Sequence, residues 1–187
     1  MNKIDVDTEL NAALSSGDPT SWEQITFKVG NIVLEGGSFP SDYFRSILAL
    51  LQREQFQRLE GSWKLIRVFE ENWKELSEAQ RVELLRVLEA SYQAFHDWMA
   101  CFVISGILGE LYSDESAFAV LCRLKNGKSE MPRSFVTHGF EHIARNSSNP
   151  ELARRALEEL ADMQQDESRM VRGEVMESLS RLKKTKL

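Results

Sequence analysis

The chain has 187 residues, of which 42% are hydrophobic and 28% charged, with only 10 Gly and 4 Pro. This composition excludes a disordered, collagen-like or low-complexity chain, and the length suits one compact domain or one short repeat array. Asp and Glu number 29 against 23 Lys and Arg, and the net charge of -6 is the wrong sign for a sequence-independent nucleic-acid binder. We therefore expect any charged partner to be basic.

The N-terminal residues, Met1 to Asp7, contain no apolar stretch and are acidic early, so we expect no secretory signal. The longest apolar run, Trp98 to Leu108, is shorter than the roughly 20 residues that a membrane-spanning helix needs. Cys101 and Cys122 lie among large apolar residues, where we expect reduced thiols rather than a disulfide. These features predict a cytoplasmic protein.

Apolar residues recur three or four positions apart along almost the whole chain, as in Val103, Ile107 and Leu111. Each of the four prolines stands near the start of such a pattern, where its missing N–H costs nothing. The sequence therefore predicts an all-α protein of ten helices without a β-sheet. The predicted helices span about 5–16, 19–35, 40–57, 61–75, 77–92, 95–112, 114–125, 131–147, 149–163 and 166–184.

The C-terminal segment from Arg181 to Leu187 holds four cations and no acid. Cations at the last turn of a helix interact favourably with the negative end of its dipole. We expect that role here.

The apolar positions also repeat over a longer distance. A shift of 36 residues places leucines in two columns through three successive segments. We expect these six leucines to be buried between helices: Leu85, Leu88, Leu121, Leu124, Leu157 and Leu160. A period of about 36 to 37 residues divides the chain into five helix pairs, at about 1–37, 38–75, 76–112, 113–148 and 149–187.

The last of these pairs has the most specific pattern. It begins with Asn149-Pro150-Glu151-Leu152-Ala153, has Asp166 in its turn, and opens its second helix with Val171-Arg172. The preceding pair keeps Pro132-Arg133 at a similar offset. This pattern resembles a HEAT repeat. The resemblance implies a single domain over 1–187, built as a right-handed α-α superhelix of about five helix pairs whose second helices line a concave binding surface.

The non-core positions of these second helices carry several acids and a few aromatics. A curved acidic surface would steer a basic protein, and aromatic side chains would anchor it. The alternative for each residue is a solvated acid or a core aromatic. The candidate partner-binding residues are Glu70, Glu71, Trp73, Asp97, Trp98, Phe102, Glu110, Glu141, Glu174 and Glu177.

One motif has the residue types and the spacing of a metal site. His138-Gly139-Phe140-Glu141-His142 matches the inverted zincin pattern, in which two His on one helix face bind zinc and Glu acts as general base. Zinc needs a third ligand, and Glu174 lies one repeat beyond His138. The alternatives are adventitious metal binding and an ordinary polar helix face. We adopt the last, and predict neither a metal nor a cofactor.

Other catalytic patterns are missing from the sequence: it has no glycine-rich phosphate loop, nucleophile elbow or Cys-x-x-Cys pair. We therefore predict a non-catalytic binding module. In size, charge and class the chain is similar to bacterial immunity proteins, and this similarity implies a monomer that masks a basic toxin domain, such as a nuclease, in a heterodimeric complex. The alternatives are a HEAT-like nucleic-acid repair or accessory protein, and a zinc-dependent hydrolase using His138, Glu141 and His142.

Overall fold

A computed structural model describes residues 5–185, the last without its side chain. Two parts of the chain lie outside the described residues. One is the segment before residue 5, on which the expectation about a secretory signal partly rests, and the other is the last two residues of the basic C-terminal segment. The all-α prediction is confirmed, because every regular element among residues 5–185 is a helix. The α-helices are α1 Val6–Ser16, α2 Pro19–Gly36, α3 Ser41–Leu51, α4 Glu54–Gln57, α5 Trp63–Glu71, α6 Glu78–Ser91, α7 Trp98–Gly106, α8 Glu115–Leu124, α9 Glu130–Asn146, α10 Pro150–Asp162 and α11 Arg169–Thr185.

Local sequence explains most helix starts. Asp18 accepts a hydrogen bond from the Thr20 N–H at the start of α2, and Ser77 forms a reciprocal capping box with Gln80 at the start of α6. The predicted helix over 40–57 is instead divided into α3 and α4, because Arg53 has extended backbone angles (φ -86°, ψ 127°). The predicted helix over 95–112 begins later and changes from α7 into a π-helical segment, Ile107–Tyr112.

The contacts divide the chain into two compact units, residues 1–100 and residues 101–187, with the boundary inside α7. The sequence led us to expect one continuous domain. In unit 1, α2 packs against α5, and α3 packs against both α1 and α6. Aromatic side chains fill this core: Trp22 meets Phe56 edge to face at 5.3 Å, and Phe56 meets Phe95 in the same way at 6.3 Å.

Unit 2 is built around α9, which packs against α8, α10, α11 and the π-helical segment. Ten residues of α9 are buried, including Val136, Phe140 and Ile143. Phe140 meets Phe118 of α8 at 5.9 Å. The core of unit 2 therefore surrounds one long central helix.

The leucine columns are partly confirmed. Four of the six leucines are buried, but Leu85 and Leu157 are only half-buried. The expectation is wrong for these two because the preceding residues, Leu84 and Ala156, occupy the buried positions. The buried residues of α6 and α10 are thus spaced four apart, Leu84 with Leu88 and Ala156 with Leu160, where the prediction had a spacing of three.

The two cysteines differ in exposure. Cys101 is fully buried, whereas Cys122 is half-buried, and burial followed by the nearby Glu159 carboxylate raises the pKa of the Cys122 thiol. Because the thiolate is the reactive form, we expect Cys122 to react with a thiol reagent more slowly than a free cysteine does, and Cys101 to react only on unfolding. Timed labelling followed by peptide mass spectrometry measures both rates, and faster labelling of Cys101 would contradict this placement.

No helix within residues 5–185 has both the length and the apolar character needed to cross a bilayer.

Candidate functional site

The candidate residues of unit 1 lie on and after α5. Glu70 and Glu71 are exposed, and the Arg67 guanidinium is 3.6 Å from the first carboxylate and 2.9 Å from the second. Trp73 is half-buried, and the guanidinium of Arg81 lies over its ring at 4.8 Å. The two acids therefore face solvent, whereas much of the Trp73 ring is covered.

Asp97 performs a structural role within unit 1. One of its carboxylate oxygens accepts a hydrogen bond from the Met99 N–H at 2.9 Å, and the other accepts one from the Gly61 N–H at 2.8 Å. Gly61 has φ +82°, which a residue with a side chain rarely adopts. Asp97 thus joins the start of α7 to the turn before α5, and the Trp98 side chain beside it remains 55% exposed.

In unit 2 the structure removes Glu141 from the candidate surface. This residue is 2% exposed, and its carboxylate accepts hydrogen bonds from Arg181 at 2.8 to 3.1 Å. Burial alone would raise the pKa of Glu141, but hydrogen bonds from Arg181 and Ser178 outweigh it and lower this pKa. A partner cannot reach the carboxylate, and Arg181, which the sequence placed in a basic helix end, is instead the counterion of a buried acid.

The other acids of unit 2 lie nearer to solvent. Glu177 is exposed and 3.5 Å from Arg181, and Glu174 is half-buried. Burial, and next the Glu177 charge, raise the pKa of Glu174. Glu110 is exposed on the π-helical segment, and its carboxylate lies 3.2 Å from the Nδ1 atom of His142. Glu177 and Glu110 therefore have local partners of their own, whereas Glu174 lies near the like charge of Glu177.

The net charge is divided unequally between the units. Residues 1–100 carry 16 acidic and 10 basic side chains, whereas residues 101–187 carry 13 of each. The whole net charge of -6 therefore belongs to unit 1. A basic partner would be attracted to unit 1 rather than to unit 2.

An exposed apolar surface in unit 1 was missed by the sequence analysis. Phe27 and Leu34 of α2 are 72% and 84% exposed. They are seven residues apart and share one face of the helix, whereas Trp22, Val29 and Val33 are buried on the opposite face. A helical wheel would have shown two large apolar side chains outside the core stripe.

Phe27 borders a cavity of about 280 Å³ between α2 and α5, which we call the α2–α5 groove. Its opposite wall includes Trp63, with the Arg67 guanidinium 5.9 Å from the ring centre. The groove is lined by Glu23, Thr26, Phe27, Trp63, Lys64, Arg67 and Glu71. It combines aromatic, arginine and acidic side chains.

The two histidines of the zincin-like motif form a second cluster, on α9. The Nε2 atoms of His138 and His142 are 3.2 Å apart, and the two rings are nearly perpendicular. Phe102 of α7 is 37% exposed and stacks on the His138 ring at 4.1 Å. Phe102, a candidate partner anchor, therefore also covers one face of this imidazole.

Burial sets the protonation of this pair. It lowers the pKa of His138 to about 4, with the neighbouring His142 contributing next. Burial also lowers the pKa of His142, although the Glu110 carboxylate opposes the shift. Both rings are therefore neutral at pH 7 and retain one nitrogen lone pair each.

The π-helical segment places Glu110 beside His142 through a close helix crossing. A Cβ atom added to Gly109 would lie 2.3 Å from the carbonyl oxygen of Gly139, so the two backbones are in direct contact. The segment ends at Ser113, which has φ +46° and donates its N–H to the Leu108 carbonyl five residues earlier. A π-helical turn inserted in a helix often accompanies a functional site.

The ligand set that the zinc-dependent alternative requires is not assembled within the described residues. Within residues 5–185, no group of three or more His, Cys, Asp and Glu side chains is arranged to hold a metal ion, so Glu174 does not join the two histidines. Glu141, the general base of the zincin pattern, is bound to Arg181.

Comparison with protein-family models, curated proteins and solved structures finds no match. The α2–α5 groove and the histidine cluster are therefore the features of the described residues from which we infer a function.

Proposed function

We propose that the protein is a non-catalytic binding module for a basic protein, which it holds at the α2–α5 groove. The observation that carries this proposal is the exposure of Phe27 and Leu34 on one helix face next to the groove. Large apolar side chains that are exposed together mark interaction sites. Trp63 and Arg67 add two of the three residue types that are enriched among the residues that dominate binding energy.

The charges around the groove favour a basic partner. Lys64 is paired with Glu23 at 2.6 Å, and Arg67 lies between Glu70 and Glu71, so the groove's own cations are offset by acids. The surrounding unit has a net charge of -6. We infer that the occupant is an amphipathic segment whose apolar side chain enters the groove and whose flanking Lys and Arg side chains meet the acids.

Inhibition of a toxin domain is the form of this function that we favour. Nuclease domains carry basic surfaces because they bind phosphate backbones, and an acidic unit with aromatic anchors is suited to mask such a surface. The complex we propose contains one copy of each protein, as in the immunity proteins that the sequence resembles in size and charge.

We also propose that the helices pair as HEAT-like repeats within a right-handed superhelix. Support comes from Arg133, at the start of α9, which binds Asp166 in the turn between α10 and α11 at 3.0 and 3.1 Å. This pair joins one predicted repeat to the next.

The test is site-specific photocrosslinking in the organism that produces the protein. A photoreactive phenylalanine analogue replaces Phe27 in one variant and Met176, an equally exposed residue of unit 2, in the matched control. We expect a protein with a net positive charge to crosslink at position 27 and not at position 176. Crosslinking at 176 alone would contradict the groove as the site.

Binding of the purified crosslinked partner then tests the groove energetically. Phe27→Ala should weaken binding by about 2 kcal/mol or more, which is about 30-fold in Kd, because it removes a central aromatic anchor. Val82 is another exposed apolar residue of unit 1, and the control variant Val82→Ala should change Kd by less than about threefold. The association rate should fall as salt rises. Tight binding of duplex DNA at physiological salt would instead support the nucleic-acid alternative.

A further inference from the structure

We propose that His138 and His142 bind a divalent transition-metal ion of the zinc and nickel class, with Glu110 orienting one of the two imidazoles. This site uses residues outside the α2–α5 groove and does not depend on the proposed function. It also differs from the zincin-like arrangement, because neither Glu141 nor Glu174 takes part.

The separation of the two nitrogens is the first observation. Their Nε2 atoms are 3.2 Å apart, on side chains one helical turn apart on α9. Two nitrogens that each lie about 2.0–2.1 Å from a tetrahedral zinc ion are about 3.3–3.4 Å from each other. The distance between the two nitrogens therefore suits two ligands of one metal ion.

The contact with Glu110 is a second, independent observation. Its carboxylate oxygen lies 3.2 Å from Nδ1 of His142, an ion-pair distance at which its negative charge favours a proton on that nitrogen. Histidines that bind metals commonly donate their other ring N–H to a carboxylate, which fixes the tautomer and makes the free nitrogen more basic. Glu110 thus directs the lone pair of His142 to Nε2, the atom that faces His138.

One guanidinium group and one side-chain amide also approach Nδ1 of His142. Nη2 of Arg145 is 3.2 Å and Nδ2 of Asn146 is 3.5 Å from Nδ1 of His142. Either could donate to Nδ1 only if that atom carried no proton, which would place the proton on Nε2. Glu110 and Arg145 therefore favour opposite tautomers, and metal binding requires the tautomer that Glu110 favours.

The proton balance of metal binding is simple. Without metal, one of the two Nε2 atoms must donate an N–H to the other. When Glu110 holds the His142 proton on Nδ1, the donor is Nε2 of His138. When the metal binds, His138 moves its proton from Nε2 to Nδ1, so no net proton is released. This balance holds for the form in which both rings are neutral.

Other parts of the cluster keep the rings in place. The Phe102 ring stacks on the His138 ring. A Cβ atom added to Gly106 would lie 3.7 Å from Nε2 of His138. His142 is 8% exposed, and His138 is half-buried. Two protein ligands leave the remaining positions to water, so we expect weaker binding than at a structural site with four protein ligands.

Titration of the full chain with ZnCl₂ and with NiCl₂ after chelator treatment tests the proposal. Isothermal titration calorimetry should give one metal ion per chain. The wild type should bind Ni²⁺ at least tenfold more tightly than His138→Gln or His142→Gln does. His96→Gln, which changes the exposed third histidine, is the matched control and should bind as the wild type does. Unchanged binding by the double variant at 138 and 142 would overturn the proposal.

Variants of Glu110 and Arg145, which both approach Nδ1 of His142, test whether Glu110 orients this imidazole or only supports the fold. Glu110→Gln should weaken metal binding by about 10- to 100-fold, the range found for loss of such orienting carboxylates. Arg145→Gln should bind metal at least as well as the wild type does, because it removes the group that favours the other tautomer. Weaker binding by Arg145→Gln with no change in Glu110→Gln would contradict the assignment.

A measurement on the wild-type chain covers the case in which a histidine variant fails to fold. Addition of Co²⁺ should shift or broaden the ring proton signals of His138 and His142 in the NMR spectrum and leave those of His96 in place. Equal broadening of all three, or of His96 alone, would overturn the proposal.

Discussion

Replacing Gly109 by alanine is expected to lower the free energy of unfolding by about 3 kcal/mol or more. The new Cβ would lie 2.3 Å from the carbonyl oxygen and 2.8 Å from the Cα atom of Gly139. Backbone atoms cannot rotate away as a side chain can, so α9 and the π-helical segment would have to separate. Overpacking of a core costs about 1–3 kcal/mol and occasionally more. Urea denaturation followed by circular dichroism measures the loss.

A matched substitution on α11 controls for helix propensity. Gly173 is exposed, and an added Cβ there would meet no atom within 4 Å. Because alanine favours a helix over glycine by about 1 kcal/mol, Gly173→Ala should leave stability unchanged or raise it by up to about that amount. If Gly109→Ala proved as stable as Gly173→Ala, the two backbones could not be in direct contact.

The second large effect is expected at Arg133. This side chain is 6% exposed, and its guanidinium donates to both carboxylate oxygens of Asp166 and, at 2.8 Å, to the Gly127 carbonyl. Arg133→Ala would leave the Asp166 carboxylate, which is 13% exposed, without its counterion. Loss of one partner of a buried pair costs about 3–5 kcal/mol. We expect a loss of unfolding free energy in that range.

Two further variants show whether the geometry of the pair matters. Arg133→Lys should also destabilise the chain, because an ammonium group cannot donate to both carboxylate oxygens and to the loop carbonyl in the same way. Arg154→Ala removes an arginine whose ion pairs with Glu151 and Glu158 are exposed, and should have little effect. Similar losses for Arg133→Ala and Arg154→Ala would contradict the special role of Arg133.

The pair also predicts a pH dependence. Burial alone would raise the pKa of Asp166, but hydrogen bonds from Arg133 and the Ser168 N–H outweigh it and hold this pKa below the usual 3.8. A carboxyl group with a lowered pKa in the folded state stabilises it fully above its usual pKa, and this contribution is lost as pH falls through the folded pKa. The stability gap between wild type and Arg133→Ala should therefore be constant near pH 7 and narrow below about pH 4.

Helix positions were predictable from the sequence because their signals are local. Pro150 follows the capping residue Asn149, and Ser77 and Gln80 complete a capping box, so both starts are specified within four residues. Arg133 and Asp166 were both noted in the sequence, but their ion pair was not predicted. The helix starts required no knowledge of how distant helices cross.

The remaining features depend on long-range packing. Glu141 matched an acidic surface in the sequence, but the crossing of α9 and α11 brings Arg181, 40 residues later, onto its carboxylate. The orientation of α10 makes Ala156 the buried residue in place of Leu157. The groove beside Phe27 was overlooked for a different reason, since none of the candidate partner-binding residues lay on α2.

The π-helical segment also has a consequence for changes in chain length. A π-turn holds one residue more than an α-turn, as the hydrogen bond from Ser113 to Leu108 shows. Deleting one residue within Ile107–Tyr112 can therefore restore a regular α-turn, whereas a deletion inside α9 would rotate everything that follows by about 100°. We expect deletion of Glu110 to leave the chain folded, with Gly109 still against Gly139, and to remove the carboxylate beside His142. Such a shortened chain would separate the architecture of unit 2 from the chemistry of its histidines.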